Sequence, residues 1–118
     1  MKFYETTIVI DSLQKPDDMK NTITKIQSFI KNNGGEIAAI DEWGKKRLAY
    51  EIKRRQYGTY FQIYFKGAGT LPNLLEREFL LEESILRYLT LVLEPKLFQD
   101  KVAAIEEKTA PKPVAVTP

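Results

Sequence analysis

Apolar and β-branched residues fill Phe3 to Ile10 and stop at Asp11-Ser12, the pattern of a strand that runs into a loop. Pro16 then stands at a favourable first helical position. Met19, Ile23, Ile26 and Ile30 recur at helical spacing until Gly34-Gly35 interrupts them, so a helix follows the strand. From Glu36 to Ile52 the composition is strand-like but broken at Gly44, where a bulge or bend shifts the phase and lets Leu48, Tyr50 and Ile52 share one face. Lys53-Arg54-Arg55-Gln56 then reads as a hairpin tip. Gly58 to Lys66 alternates cleanly, and Phe61, Ile63 and Phe65 are the expected core side, with Tyr60, Gln62 and Tyr64 opposite.

Gly67-Ala68-Gly69 opens a loop, and Leu71, Leu74, Leu75 and Phe79 form an apolar stripe behind Pro72, with Glu76, Arg77, Glu82 and Glu83 turned outward. Ile85 to Leu93 has the length and composition of a strand that ends at Pro95. The order βαββαβ predicts an α+β, ferredoxin-like domain over residues 1–95: a four-stranded antiparallel sheet with two helices on one face. Beyond it the chain turns to Lys, Glu, Ala and Pro, and 96–118 reads as an extended C-terminal tail with a short helix at most near Leu97 to Glu107. The tail is expected to dock on an adjacent protein or RNA, with Leu97, Phe98, Val102 and Ile105 as anchors and Lys96, Lys101, Lys108 and Lys112 on phosphate. The alternative is that it folds back and buries Leu97 and Phe98 against its own sheet.

Candidate chemistry is narrow. Among 118 residues there is no cysteine and no histidine, which removes disulfides, thiol nucleophiles, imidazole bases and the usual zinc sites. No enzyme activity, cofactor, metal or small-molecule substrate is expected. The opening Met1 to Thr7 resembles neither a signal peptide nor a transit sequence, and no apolar run approaches the roughly 20 residues of a membrane span, so a cytoplasmic location is expected. Asp17-Asp18, Asp41-Glu42 and Glu82-Glu83 are adjacent pairs whose side chains diverge, which suits capping and solubility better than a catalytic dyad. Gly67-Ala68-Gly69 lacks the other elements of a phosphate-binding loop and reads as a turn.

Charge changes the picture more than composition does. The chain totals +2, yet positions 45–55 alone carry +5, with Lys45, Lys46, Arg47, Lys53, Arg54 and Arg55 against Glu51, so the rest sums to −3. Cations concentrated at a projecting hairpin can neutralise phosphates and release counterions. The same residues could instead blunt a solvated strand edge against aggregation. Arg87 lies within an apolar run, where it either reaches phosphate or snorkels beside a glutamate. The stretch Arg55 to Phe65 echoes an RNA-recognition motif faintly, but no Asn-Leu follows Ile8-Val9-Ile10. Tyr60 and Tyr64 are therefore read as a platform for protein or for neighbouring side chains, and with Trp43 as a surface that a protein partner covers.

Several stretches carry a resemblance: Tyr4-Glu5, Asp41-Glu42-Trp43-Gly44-Lys45-Lys46-Arg47-Leu48-Ala49-Tyr50, Tyr57-Gly58 and Ile85-Leu86-Arg87-Tyr88-Leu89. Across about residues 2 to 95 the chain resembles the bacterial small-ribosomal-subunit protein six family. That resemblance implies a structural protein that binds the central domain of small-subunit ribosomal RNA, on the platform, beside small-subunit protein eighteen. It also implies RNA-facing roles for Lys2, for Lys45 to Arg47 and for Arg87. Here Leu86 stands where some relatives have a second basic residue, and Glu51 where many have proline. Rival readings are a ferredoxin-like regulatory module that binds a metabolite or protein and, more distantly, an acylphosphatase-like enzyme. Ligand-linked oligomerisation, turnover and salt-dependent RNA binding would separate the three.

Overall fold

The protein was analysed as a computed structural model that describes residues 1–109. Its elements run β1 (Lys2–Asp11), α1 (Pro16–Asn32), β2 (Glu36–Ile52), β3 (Arg55–Gly67), α2 (Leu71–Leu81), β4 (Ile85–Leu93) and α3 (Pro95–Thr109). The four strands form one antiparallel sheet in the order β2-β3-β1-β4. This is the ferredoxin-like α+β arrangement expected from the sequence, with a third helix added.

Local chemistry explains the boundaries. Asp17 and Asp18 in the first turn of α1 and Lys31 in its last complement the helix dipole, and Gly34, at φ +83°, supplies the left-handed residue that ends it. The β2–β3 turn is tighter than expected: Ile52 pairs with Arg55, so the turn is Lys53-Arg54 alone, and both residues have positive φ (49° and 65°) as a type I′ hairpin requires. In β2 the register slips between Ile37 and Ala39, between Glu42 and Gly44, and a third time between Arg47 and Ile52. Gly44, at φ +86°, makes the second bulge possible.

The sheet has two differently covered faces. Tyr4, Ile8, Ile10, Phe61, Ile63 and Phe65 turn toward α1 and α2 and close the main core with Ile26, Ile30, Leu71, Leu75 and Phe79. On the opposite face, at the β2–β3 turn end, Val9, Leu48 and Leu86 form a small cluster with Ile52 and Tyr60 against it. Leu48 and Ile52 thus join one cluster as the phase shift predicts, while Tyr50 remains 59% exposed. Gly58 lets β1 and β2 side chains close over β3 here, since a Cβ on it would collide with Val9 Cγ1.

The other end of that face carries a correction. Residues 96–109 are not an extended tail: the short helix expected near Leu97 to Glu107 forms as α3 from Pro95, lies across the sheet, and buries Phe98 and Ile105 with Tyr64 and Leu93, against Phe3, Ala38 and Val102. Phe98, Val102 and Ile105 fall on one helical stripe, and the apolar patch they meet exists only once the strands are assembled. The fold-back alternative therefore describes Phe98, at 4% exposure, but not Leu97, at 45%. Lys101 meets a buried carboxylate of the sheet, not phosphate. Lys112 and the prolines at 111, 113 and 118 lie outside the described residues.

A helix docked in this way is part of the folded unit. Phe98→Ala should lower unfolding free energy by about 3 kcal/mol in urea titration, and limited proteolysis of the free protein should spare Pro95 to Thr109 while Phe98→Ala exposes it. Rapid trimming of the unmodified chain at Pro95 would contradict the packing.

Candidate nucleic-acid interface

The β2–β3 hairpin projects as a two-stranded arm. Lys45, Lys46 and Arg47 on β2 and Lys53 and Arg54 at the turn are all exposed. Lys45 pairs with Thr59, Lys46 with Gly58 and Arg47 with Tyr57, so alternation sends Lys45 and Arg47 to the α1 side and Lys46 to the other. The arm thus presents charge on both faces and at its tip. Lys45 Nζ stands 4.9 Å above the Tyr57 ring, and the Arg87 guanidinium lies 5.6 Å from the centre of Tyr50. These cation–π contacts hold flexible side chains over flat rings and leave their charge toward solvent.

Arg55 behaves differently. As the first residue of β3 it is half-buried, and its Nε donates to Asp11 Oδ2 at 2.9 Å, while Asp11 Oδ1 accepts the Leu13 backbone N–H at 3.0 Å. This pair ties the root of the arm to the end of β1, so Arg55 supports the arm and does not form its tip. Arg87 pairs with Val9 and joins the arm's neighbourhood through Tyr50. Lys2 is exposed at the start of β1 opposite Gly67, at the far end of the sheet, about 30 Å along the strand from the arm. The structure brings the other sequence-selected cations together and leaves Lys2 apart.

The aromatic platform divides in the same way. Trp43, carried out by the bulge before Gly44, is 44% exposed, stacks on Tyr60 at 6.4 Å and 12°, and donates its indole N–H to Asp41 Oδ2 at 2.8 Å. Tyr64 and Phe98, expected on a partner surface, are instead buried against each other, ring centres 6.2 Å apart, so neither is open to a partner. Leu97 remains accessible. Sequence reading missed Leu89 and Leu91, which are exposed at 58% and 45%. Their signal was the alternation of β4, which sets Arg87, Leu89, Leu91 and Leu93 on the face of Val9, Thr7, Glu5 and Phe3. Trp43, Tyr60, Leu89 and Leu91 lie on the part of this face beside α3.

Beneath α3 the apolar patch also encloses a polar group. Glu5, 4% exposed, accepts the Tyr64 hydroxyl at 2.6 Å and Lys101 Nζ at 2.9 Å, and Gln62 Nε2 donates to Thr7 Oγ1 at 3.1 Å alongside. Burial, and then the hydrogen bond to Glu5, push the Tyr64 phenol well above the ordinary tyrosine range. Among the described residues no cluster of three or more Asp or Glu side chains could hold a metal ion, and no helix is long and apolar enough to cross a membrane.

Comparison with known proteins adds the family context. The family described as Ribosomal protein S6 matches residues 3–92. Small ribosomal subunit protein bS6 of Desulforapulum autotrophicum is 41% identical over 96 residues, covering 80% of this chain and 61% of that longer relative. The bS6 of Clostridium acetobutylicum is 36% identical over 80% of this chain and 99% of its own, and that of Helicobacter hepaticus 37% identical over 96% and 85%. The crystal structure of 30S ribosomal protein S6 from Thermotoga maritima superposes with a TM-score of 0.76 at 25% identity, covering 87% of this chain and 96% of the other.

The Tyr64 geometry has a measurable outcome. Because the folded-state pKa is raised, the neutral phenol stabilises the fold below the ordinary tyrosine value of about 10, and that contribution fades as pH climbs above it. In an ultraviolet titration Tyr64 should be the last tyrosine to ionise. Tyr64→Phe should remove that final step, and an unaltered last step would contradict the buried Glu5 contact.

Proposed function

Because the chain belongs to the ribosomal protein S6 family, a structural and non-enzymatic constituent of the small ribosomal subunit, we propose that it is held there by small-subunit ribosomal RNA and small-subunit protein eighteen. In this reading the RNA is the central domain, on the platform, and the assembly is cytoplasmic. The observation that carries the RNA half is the arm. Five exposed cations lie within ten residues of sequence on an otherwise acidic chain, two aromatic rings are roofed by cations, and the root is braced by Arg55 and Asp11. A braced projection of this kind lays charge along a phosphate backbone and positions the protein without reading bases.

The protein half rests on the face beside α3. Trp43 on β2 and Leu89 and Leu91 on β4 leave apolar side chains exposed at the two edges of this face, and aromatic and aliphatic anchors of this sort form the centres of protein interfaces. The two surfaces adjoin near Tyr50 and Arg87, so one partner could hold the sheet while RNA follows the arm.

Lys53→Ala with Arg54→Ala should leave the fold intact and lower the slope of log affinity against log salt, measured on small-subunit RNA, by about two. Arg55 is left unaltered because its pairing with Asp11 would mix folding with binding. An unchanged slope would remove the tip from the RNA interface. Leu89→Lys should weaken association with protein eighteen and leave that slope alone, and the unmodified chain should sediment with small subunits.

A further inference from the structure

We propose that the cleft between α1 and the β2–β3 ribbon is a single-nucleotide site, taking one unstacked base that bears an exocyclic amine together with its phosphate. This deepens the RNA-binding reading and rests on it. The cleft has a volume of about 600 Å³, within the ~300–1,000 Å³ typical of small-molecule sites. It opens where β2 slips register between Glu42 and Gly44, and it leads into the arm through Lys45, which lines it.

The lining sorts into three chemistries. Met19, Ile23, Ile40 and Phe61 make an apolar floor, in which an aromatic base finds surface for its π faces. Glu42 and Gln27 stand at the side and can accept hydrogen bonds. Lys20 on α1 and Lys45 on β2 line the cleft from either wall, and Lys45 Nζ stands over the Tyr57 ring on the arm side. A purely aliphatic occupant would desolvate Glu42 and Gln27 without giving them donors, and a bare anion would leave the floor unused. A nucleotide satisfies all three: its flat ring covers the floor, its edge meets the carboxylate and amide, and its phosphate meets Lys20, with Lys45 adding positive charge on the arm side.

The site also discriminates. Adenine, guanine and cytosine each carry an exocyclic amine able to donate to the Glu42 carboxylate, whereas uracil offers only its N3–H, flanked by two carbonyl oxygens that the carboxylate repels. RNA leaving the arm with an exposed non-uracil base would be anchored there at a defined register. Stacking and edge contacts of this type are how proteins read single-stranded nucleotides.

Methyl-resolved NMR of the whole chain tests this with adenosine monophosphate, uridine monophosphate and inorganic phosphate. Adenosine monophosphate should shift the Met19, Ile23 and Ile40 methyls saturably, uridine monophosphate should bind several-fold more weakly, and phosphate alone should leave those methyls still. Lys20→Glu should weaken adenosine monophosphate several-fold, and Thr24→Phe, an exposed change that fills the cleft, should abolish its effect. Equal binding of the two nucleotides, or shifts confined to the arm, would overturn the proposal. If Thr24→Phe silenced the cleft yet left ribosomal RNA affinity untouched, the cleft would fail and the RNA reading stand. If the cleft bound adenosine monophosphate while Lys53→Ala with Arg54→Ala left the RNA salt slope unaltered, the reverse would hold.

Discussion

A carboxylate on a sheet face that a helix covers has to find donors within the protein, because water cannot reach it. Glu5 is in that position: on β1, which β3 and β4 flank, it lies beneath α3 and is closed off from solvent. Two donors come from distant parts of the chain, the Tyr64 hydroxyl from β3 and the Lys101 ammonium from α3. Leaving a buried carboxylate unmatched would cost far more than an ordinary hydrogen bond gains. Glu5 and Lys101 therefore have to come into register when Phe98 and Ile105 dock, and the place of α3 decides which half of the sheet's second face stays open.

The elements built from local pattern were legible in the sequence. The alternation of Phe61, Ile63 and Phe65, the helical spacing of Met19 to Ile30 and the turn signals at Gly34 and Pro72 each point to the structure found. What escaped depended on contacts distant in sequence. Phe98, Val102 and Ile105 have helical spacing, but their receiving surface comes from Phe3, Ala38, Tyr64 and Leu93, which become neighbours only after the strands pair. The surrounding Lys, Glu and Pro made the segment look solvated. Arg55 read as one more tip cation because its partner, Asp11, is 44 positions away.

The turn escaped for a different reason. Two-residue hairpin turns of this type favour Asn-Gly or Asp-Gly, whose backbones tolerate positive φ, and here the two positions are Lys53 and Arg54. Side chains with a Cβ are held there at a backbone cost of order 1–3 kcal/mol each, next to the Ile52–Arg55 pair that closes the turn. Local propensity and observed conformation disagree at the point where the charge is most exposed. Such disagreement is expected where a residue is kept for what it touches and not for how it folds.

Because only Glu94 separates β4 from α3, the helix never leaves the vicinity of the surface it covers. A segment tethered this closely competes at an effective concentration in the millimolar range, whatever the cell contains. An external ligand for the Phe3, Tyr64 and Leu93 patch would have to outbid a competitor that cannot be diluted away. The tether thus acts as a filter on the surface: weak, adventitious binders are excluded from one half of the sheet, and specific recognition is directed to the half that none of the described residues covers.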